Sequence, residues 1–211
     1  MNRSHRRRLI ASLWRSLFFS AAGLCFFGAP LSAQTSGPPQ LTDDESAVYT
    51  VLFQDLYDAS KDRPIILIET TSIGVPPGLI TKVSVQSEQT TRFLARLSPE
   101  TRQDWTDRNK EHARLPSPCH LAPECLVFDV ADIARLVKND RAWRRFLNKH
   151  PNAPGVVVVS RIGFNRDRTE AIVYVGRACG SICGEGEYVR LLKLNNSWTV
   201  DDHTVVWLSQ K

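Results

Sequence analysis

Val156-Val157-Val158-Val159-Ser160-Arg161-Ile162, Glu170-Ala171-Ile172-Val173-Tyr174-Val175, the run from Tyr188 to Leu194 and the run from Trp198 to Leu208 follow one another late in the chain. β-Branched and aromatic residues dominate these short runs, and turn-forming residues bound them, which is the pattern of strands. Phe164-Asn165-Arg166-Asp167-Arg168 reads as a turn, and the Gly-rich stretch from Gly176 to Gly186 as a connection. Asn195-Asn196 reads as a two-residue turn tolerant of positive φ. Consecutive strands with short connections predict an antiparallel meander of about four strands. Residues 171–175 are apolar at both parities, so this strand is expected to be buried on both faces.

Upstream the text turns helical. Thr42-Asp43-Asp44-Glu45 is a capping box, and Val48, Val51, Leu52 and Leu56 follow at helical spacing, predicting a helix over 43–58. Ile65 to Thr71 reads as a strand, and Gly74 to Gly78 as a loop. Glu88–Leu97 reads as a helix, and a second begins at Ser98 (N-cap) and Pro99, running to about His112. Residues 114–124 form a proline-rich loop, and Leu126-Val127-Phe128 a short strand. Asp129–Val137 and Asp140–Lys149 are two more helices, the latter with Trp143, Phe146 and Leu147 on one side. The fold expected is therefore α+β, N-terminal helices packed on a C-terminal antiparallel meander of about four strands. Its core should hold Val157, Val159, Val173, Tyr174, Val175, Leu192 and Trp198 against Leu52, Leu56, Trp143 and Phe146. Glu170, at the start of a strand, reads as solvated.

Residues 1–33 carry Arg3, Arg6, Arg7, Arg8 and Arg15, then an apolar run from Leu17 to Phe27, then Pro30 and the small-residue end Ser32-Ala33. This is the order of a secretory signal peptide. The run is short for a membrane anchor, so no membrane span is expected after cleavage near Ala33–Gln34. A flexible leader, 34–41, and a single α+β domain, 42–211, complete the organisation. Five of the 27 basic residues fall in 1–33, which holds no acid, leaving 22 bases against 22 acids in the remainder. The basic balance of the whole chain is thus no argument for nucleic acid, and none is expected as a partner. Acids crowd the first helix region (Asp43, Asp44, Glu45, Asp55, Asp58, Asp62) and bases a later one (Arg135, Lys138, Arg141, Arg144, Arg145, Lys149). We read these as solvated helix faces or faces that meet, in preference to a binding patch.

Cys119, Cys125, Cys179 and Cys183 remain after the leader. An even number in an exported chain reads as two disulfides, with the local pairings Cys119–Cys125 and Cys179–Cys183 preferred among three possibilities. The rival is a zinc site with His120 as a helper, but structural zinc sites favour tighter spacing. No cofactor or metal is expected.

From Gly155 onward, Ser160-Arg161-Ile162-Gly163-Phe164-Asn165, Ala171-Ile172-Val173-Tyr174-Val175, Cys179-Gly180-Ser181-Ile182-Cys183-Gly184-Glu185-Gly186-Glu187-Tyr188, Leu191-Leu192-Lys193 and Trp198-Thr199-Val200 occur in that order. With Trp143 and Phe146, this text resembles a group of secreted bacterial proteins. The likeness covers about residues 105–208 and implies no activity, because none is assigned to the group.

No catalytic motif stands out. The Gly-rich stretch around Cys179–Glu187 lacks the following helix and lysine of a phosphate loop. Ser160 lacks the setting of a nucleophile elbow. Glu69, Glu185, Glu187, Asp201, Asp202 and His203 are candidates for acid–base work, though no spacing links them. Arg161 reads as tying the Phe164–Arg168 turn, with Asn165, to a neighbouring carboxylate rather than holding an anion. Asn195-Asn196-Ser197 matches a glycosylation sequon but is already explained as a turn. Trp105, Trp143, Trp198 and Trp207 read as core or rim aromatics. The leading expectation is a non-catalytic exported binding or interaction protein of the envelope or exterior. The alternative is a small hydrolase-type enzyme with a pocket on the concave face of the C-terminal sheet, near Glu185, Glu187 or His203. Ligand, partner and oligomeric state cannot be read from the sequence.

Overall fold

Val173, Tyr174 and Val175 are all buried, and they sit at the middle of one eight-stranded sheet with helices on both sides. The computed structural model describes residues 40–74, 79–80 and 83–209. The chain divides into Met1–Thr35 and Ser36–Lys211, and the described residues belong to the second unit. The signal-peptide expectation at 1–33 and most of the leader at 34–41 lie outside the described residues, as do residues 75–78 of the expected loop.

In chain order the elements are α1 (Asp43–Tyr57), β1 (Ile65–Ile68), β2 (Val83–Val85), α2 (Ser87–Ala95), α3 (Pro99–Arg108) and β3 (Cys125–Phe128). Then come α4 (Val130–Leu136), α5 (Asp140–Lys149), β4 (Val156–Val159), β5 (Gly163–Phe164), β6 (Glu170–Gly180), β7 (Cys183–Leu194) and β8 (Ser197–Ser209). The sheet runs β2-β8-β7-β6-β4-β1-β3, with β5 paired to β6.

This corrects the expected four-stranded antiparallel meander. Consecutive antiparallel hairpins join only β5, β6, β7 and β8, and the two-residue β5 lies off the main strand order. β4 is antiparallel to β6 but parallel to β1, and β1 is parallel to β3. Parallel strands need long crossovers, and α4 with α5 provides the one from β3 to β4, which lie on either side of β1. The sequence carried the sign in Ile65–Ile68 and Val156–Val159, which are apolar without alternation, as strands covered on both faces must be. The edge strand β2 was not anticipated.

The second correction concerns the Gly-rich stretch. Gly176 and Gly186 pair within a continuous β6–β7 ladder that narrows to a tip at Ser181-Ile182, where Cys179–Cys183 joins the strands. These glycines make room. A Cβ on Gly186 would lie 2.0 Å from Trp207 Nε1, and one on Gly176 would lie 2.7 Å from the Tyr174 hydroxyl.

Strand alternation splits the core into two layers. On one face Leu67, Val157, Val159, Val173, Val175 and Val189 pack against Val48, Tyr49, Leu52 and Phe53 of α1, with Trp198 in the same layer. On the other, Ile66, Ile68, Val156, Val158 and Tyr174 pack against Ile133 of α4 and Trp143 and Phe146 of α5. Leu56 and Leu192 of the expected core are half-buried.

Local signals held where they were chemical. Thr42 and Glu45 form the capping box, Ser98 caps α3 with Pro99 in its first turn, and Asn195 and Asn196 adopt φ of 49° and 66°. The helix expected to reach His112 instead ends at Arg108. Glu170 is a further correction: it is 7 % exposed and held by four partners, described below.

Candidate functional site

The acid–base candidates fall into three places. The first is the distal part of the β6–β7–β8 ribbon, on the α1 side. Register sets Arg177 opposite Glu185 and Val175 opposite Glu187, and pairs Val189 with His203. Arg177 donates from Nη2 to Glu185 Oε1 at 2.6 Å and from Nη1 to the Pro154 carbonyl at 3.2 Å. His203 Nδ1 lies 2.8 Å from Glu187 Oε2. The His203 side chain is 58 % exposed while that of Glu187 is 12 % exposed. Burial raises the Glu187 carboxyl above the ordinary glutamate value, with Glu185 adding to the rise, against the lowering pull of His203 and Arg177. The neighbouring Tyr57 phenol, at the end of α1, is raised by burial and then by the Glu187 charge. Sequence spacing gave no sign of this grouping, because it depends on the register of three strands and a bulge between Gly186 and Glu187.

The second place is the carboxyl end of β1. Glu69 follows that strand and forms an ion pair with Arg114. Both line a cavity of about 550 Å³ together with Gln40, Ser46 and Pro116-Ser117-Pro118. The third is within β8, where Asp201 pairs with Arg190 of β7 at 3.2 Å and Asp202 pairs with Arg96. Each of these is an ion pair tying elements together.

Ser160 has no freedom to act as a nucleophile. It is fully buried, its Oγ accepts from Tyr174 N at 2.8 Å and Trp105 Nε1 at 3.0 Å, and it donates to the Arg161 carbonyl at 2.8 Å. Arg161 does hold a carboxylate, Glu45 of α1, at 3.3 Å, while the Phe164–Arg168 turn is tied to α1 by Arg168 and Asp44 at 2.6 Å. Asn165 closes its turn by accepting from Thr169 N and Glu170 N at 2.8 and 2.9 Å. Trp143, Trp198 and Trp207 are buried, and Trp105 stands edge-on to Tyr188 with centroids 5.3 Å apart.

The cysteines pair locally as expected. Cys119–Cys125 and Cys179–Cys183 are disulfides with Cα–Cα distances of 5.5 and 5.0 Å, which removes the thiolates the zinc alternative needed. No helix among the described residues is long and apolar enough to cross a membrane.

The opposite-charge helix faces lie on opposite sides of the sheet, the acids of α1 on one and the bases of α4 and α5 on the other, although Asp62, beyond α1, lines a cleft with Lys149. On α5, Ala142, Trp143 and Phe146 turn into the core, which leaves Arg141, Arg144, Arg145 and Lys149 outside. Arg135 and Leu136 of α4, Lys138 of the connection, and Arg145 and Lys149 of α5 then line a cleft of about 330 Å³ floored by Ala142 and Phe146. Arg135 pairs with Asp132. Lys138, Arg145 and Lys149 pair with no acid among the described residues. The sequence showed the charge, but only the docking of α4 beside α5 makes it converge.

No family model matches the chain, and no curated protein or solved structure matches it.

Proposed function

We propose that the chain is an exported, non-catalytic binding protein whose ligand face is the cationic cleft between α4 and α5. One observation carries this reading: three cations with no acid partner among the described residues line a cleft with an apolar floor. Like charges brought together at a surface repel one another unless an anion joins them. Export is supported by the signal-peptide pattern of residues 1–33 and by two disulfides, which persist in oxidising compartments. The likeness of residues 105–208 to secreted bacterial proteins agrees with it.

Titration of the exported protein with pyrophosphate at low salt, followed by amide chemical shifts, tests the binding reading. Shifts confined to residues 135–149 support it, and an unchanged spectrum rejects it. N-terminal sequencing of secreted material should begin near Gln34, and a chain starting at Met1 would reject export.

A hydrolase remains the second reading, favoured by the Glu187–His203 pair. A carboxylate kept mostly from solvent on Nδ1 of an exposed imidazole leaves Nε2 free to take a proton. Turnover of chromogenic esters or glycosides that is lost in His203→Ala would establish it, and no turnover would remove it.

A further inference from the structure

Resting on the binding reading above, we propose that the α4–α5 cleft takes a phosphate group bearing an aliphatic substituent, one per chain. The cleft has two chemically distinct parts. Arg145 and Lys149 stand one turn apart on α5, and Arg135 and Lys138 face them from α4 and its connection. With Asp132 neutralising Arg135, three cations are left over. A single carboxylate satisfies one or two of them; a phosphate ester brings up to two negative charges and three acceptor oxygens, matching the Arg fork and the two ammonium groups. Between these walls Leu136 is 43 % exposed, above the buried Ala142 and Phe146. A bare inorganic anion leaves the Leu136 side chain in water, whereas an alkyl chain covers it. The volume of about 330 Å³ suits a headgroup and a few methylenes rather than a folded partner. None of the nearby acids among the described residues forms an ion pair with these three cations: Asp140 accepts from the Ser181 hydroxyl at 2.5 Å, Asp129 caps α4 through Ala131 N at 2.7 Å, and Asp62 and Glu124 share a second cleft with Lys149 without an ion pair to it.

The experiment is calorimetric titration of the exported protein with three probes: hexyl phosphate, inorganic phosphate and hexanol. Hexyl phosphate should bind one to one, at least about tenfold more tightly than inorganic phosphate, because several methylenes leave water. Hexanol alone should not bind. The double substitution Arg145→Ala/Lys149→Ala should weaken hexyl phosphate by about thirtyfold. Arg141→Ala/Arg144→Ala removes the same charge from outside the cleft and should change affinity by less than about threefold. All four side chains are exposed, so both variants keep the fold. Vesicles containing phosphatidic acid distinguish a membrane lipid from a soluble ester: retention on them that hexyl phosphate displaces points to the lipid, and hexyl phosphate binding without retention to the ester. Equal affinity for hexyl and inorganic phosphate overturns the proposal while leaving the anion-binding reading standing. An equal loss in the two double variants, or displacement of hexyl phosphate by duplex DNA, overturns the proposal as well. Failure of every anion to bind overturns both.

Discussion

The carboxylate of Glu45 and the guanidinium of Arg161 lie 3.3 Å apart across the join between α1 and the end of β4, with Glu45 wholly buried and the Arg161 side chain 11 % exposed. Glu45 also accepts from Thr42 N at 3.0 Å, and Arg108 approaches it at 3.8 Å, so one carboxylate closes a helix cap and bonds two distant segments. Beside it the Tyr49 hydroxyl donates to the Ser160 carbonyl at 2.6 Å.

Glu45→Ala should therefore destabilise by about 3–5 kcal/mol, because Arg161 is left as a buried cation without its partner. Urea denaturation measures this. The double variant Glu45→Gln/Arg161→Met should recover part of the loss, since neither buried charge then remains.

Glu170→Ala should cost about 1–3 kcal/mol, comparable to Val173→Ala. Its Oε2 accepts from Ser98 N at 2.9 Å and the Thr101 hydroxyl at 2.7 Å, and its Oε1 from Arg190 Nε at 3.0 Å. Burial opposes the charged form, but the bonds from Thr101 and Ser98 and the Arg190 charge outweigh it and hold the carboxyl below the usual glutamate value. A folded value below the unfolded one stabilises at higher pH and fades as pH falls through the folded value. The stability gap between wild type and Glu170→Gln should accordingly shrink in acid; a gap constant from pH 7 to pH ~3 would contradict this.

Glu187 should behave in the opposite sense. Its raised value means that its contribution is present below the unfolded glutamate value and is lost as pH rises through the folded one. Relative to wild type, Glu187→Gln should be more stable at pH ~8 than at pH ~4, read by chemical denaturation at both. An unchanged difference would mean that the His203 contact cancels the effect of burial, and a reversed one that it outweighs it.

Gly186→Ala should destabilise by about 1–3 kcal/mol through overpacking against Trp207. The Trp207 indole also donates to the Tyr174 hydroxyl at 2.8 Å, so it cannot swing away freely. Thermal unfolding of Gly186→Ala and of Gly186→Ala/Trp207→Leu distinguishes crowding from a backbone effect, since only crowding is relieved by the second change.

Thiol counting on unfolded, unreduced protein should find none of Cys119, Cys125, Cys179 and Cys183 free. Removing Cys179–Cys183 should cost about 2 kcal/mol, the value expected for closing so short a loop.

The sequence by itself determined what neighbours along the chain can settle. The Thr42 cap, Pro99 after Ser98, the Asn195-Asn196 turn and the two local disulfides are decided within a few residues, and each stands as its chemistry implies. The both-face burial of β6 was legible too, because a strand apolar at both parities has no face to give to water. Only the tertiary structure decided the rest. The parallel joining of β1 to β3 and β4 depends on crossovers whose length and helices the text shows but whose destination it does not. Glycines 176 and 186 look like loop residues until Tyr174 and Trp207 are seen to fill the space above them. Glu170 looks solvated until Ser98 and Thr101 arrive from α3 and its cap and Arg190 from β7. The same holds for the sites: Glu187 meets His203 through strand register, and the cations of α4 and α5 converge through helix docking. Charge is written locally, but its neighbours are chosen by packing over long sequence distances.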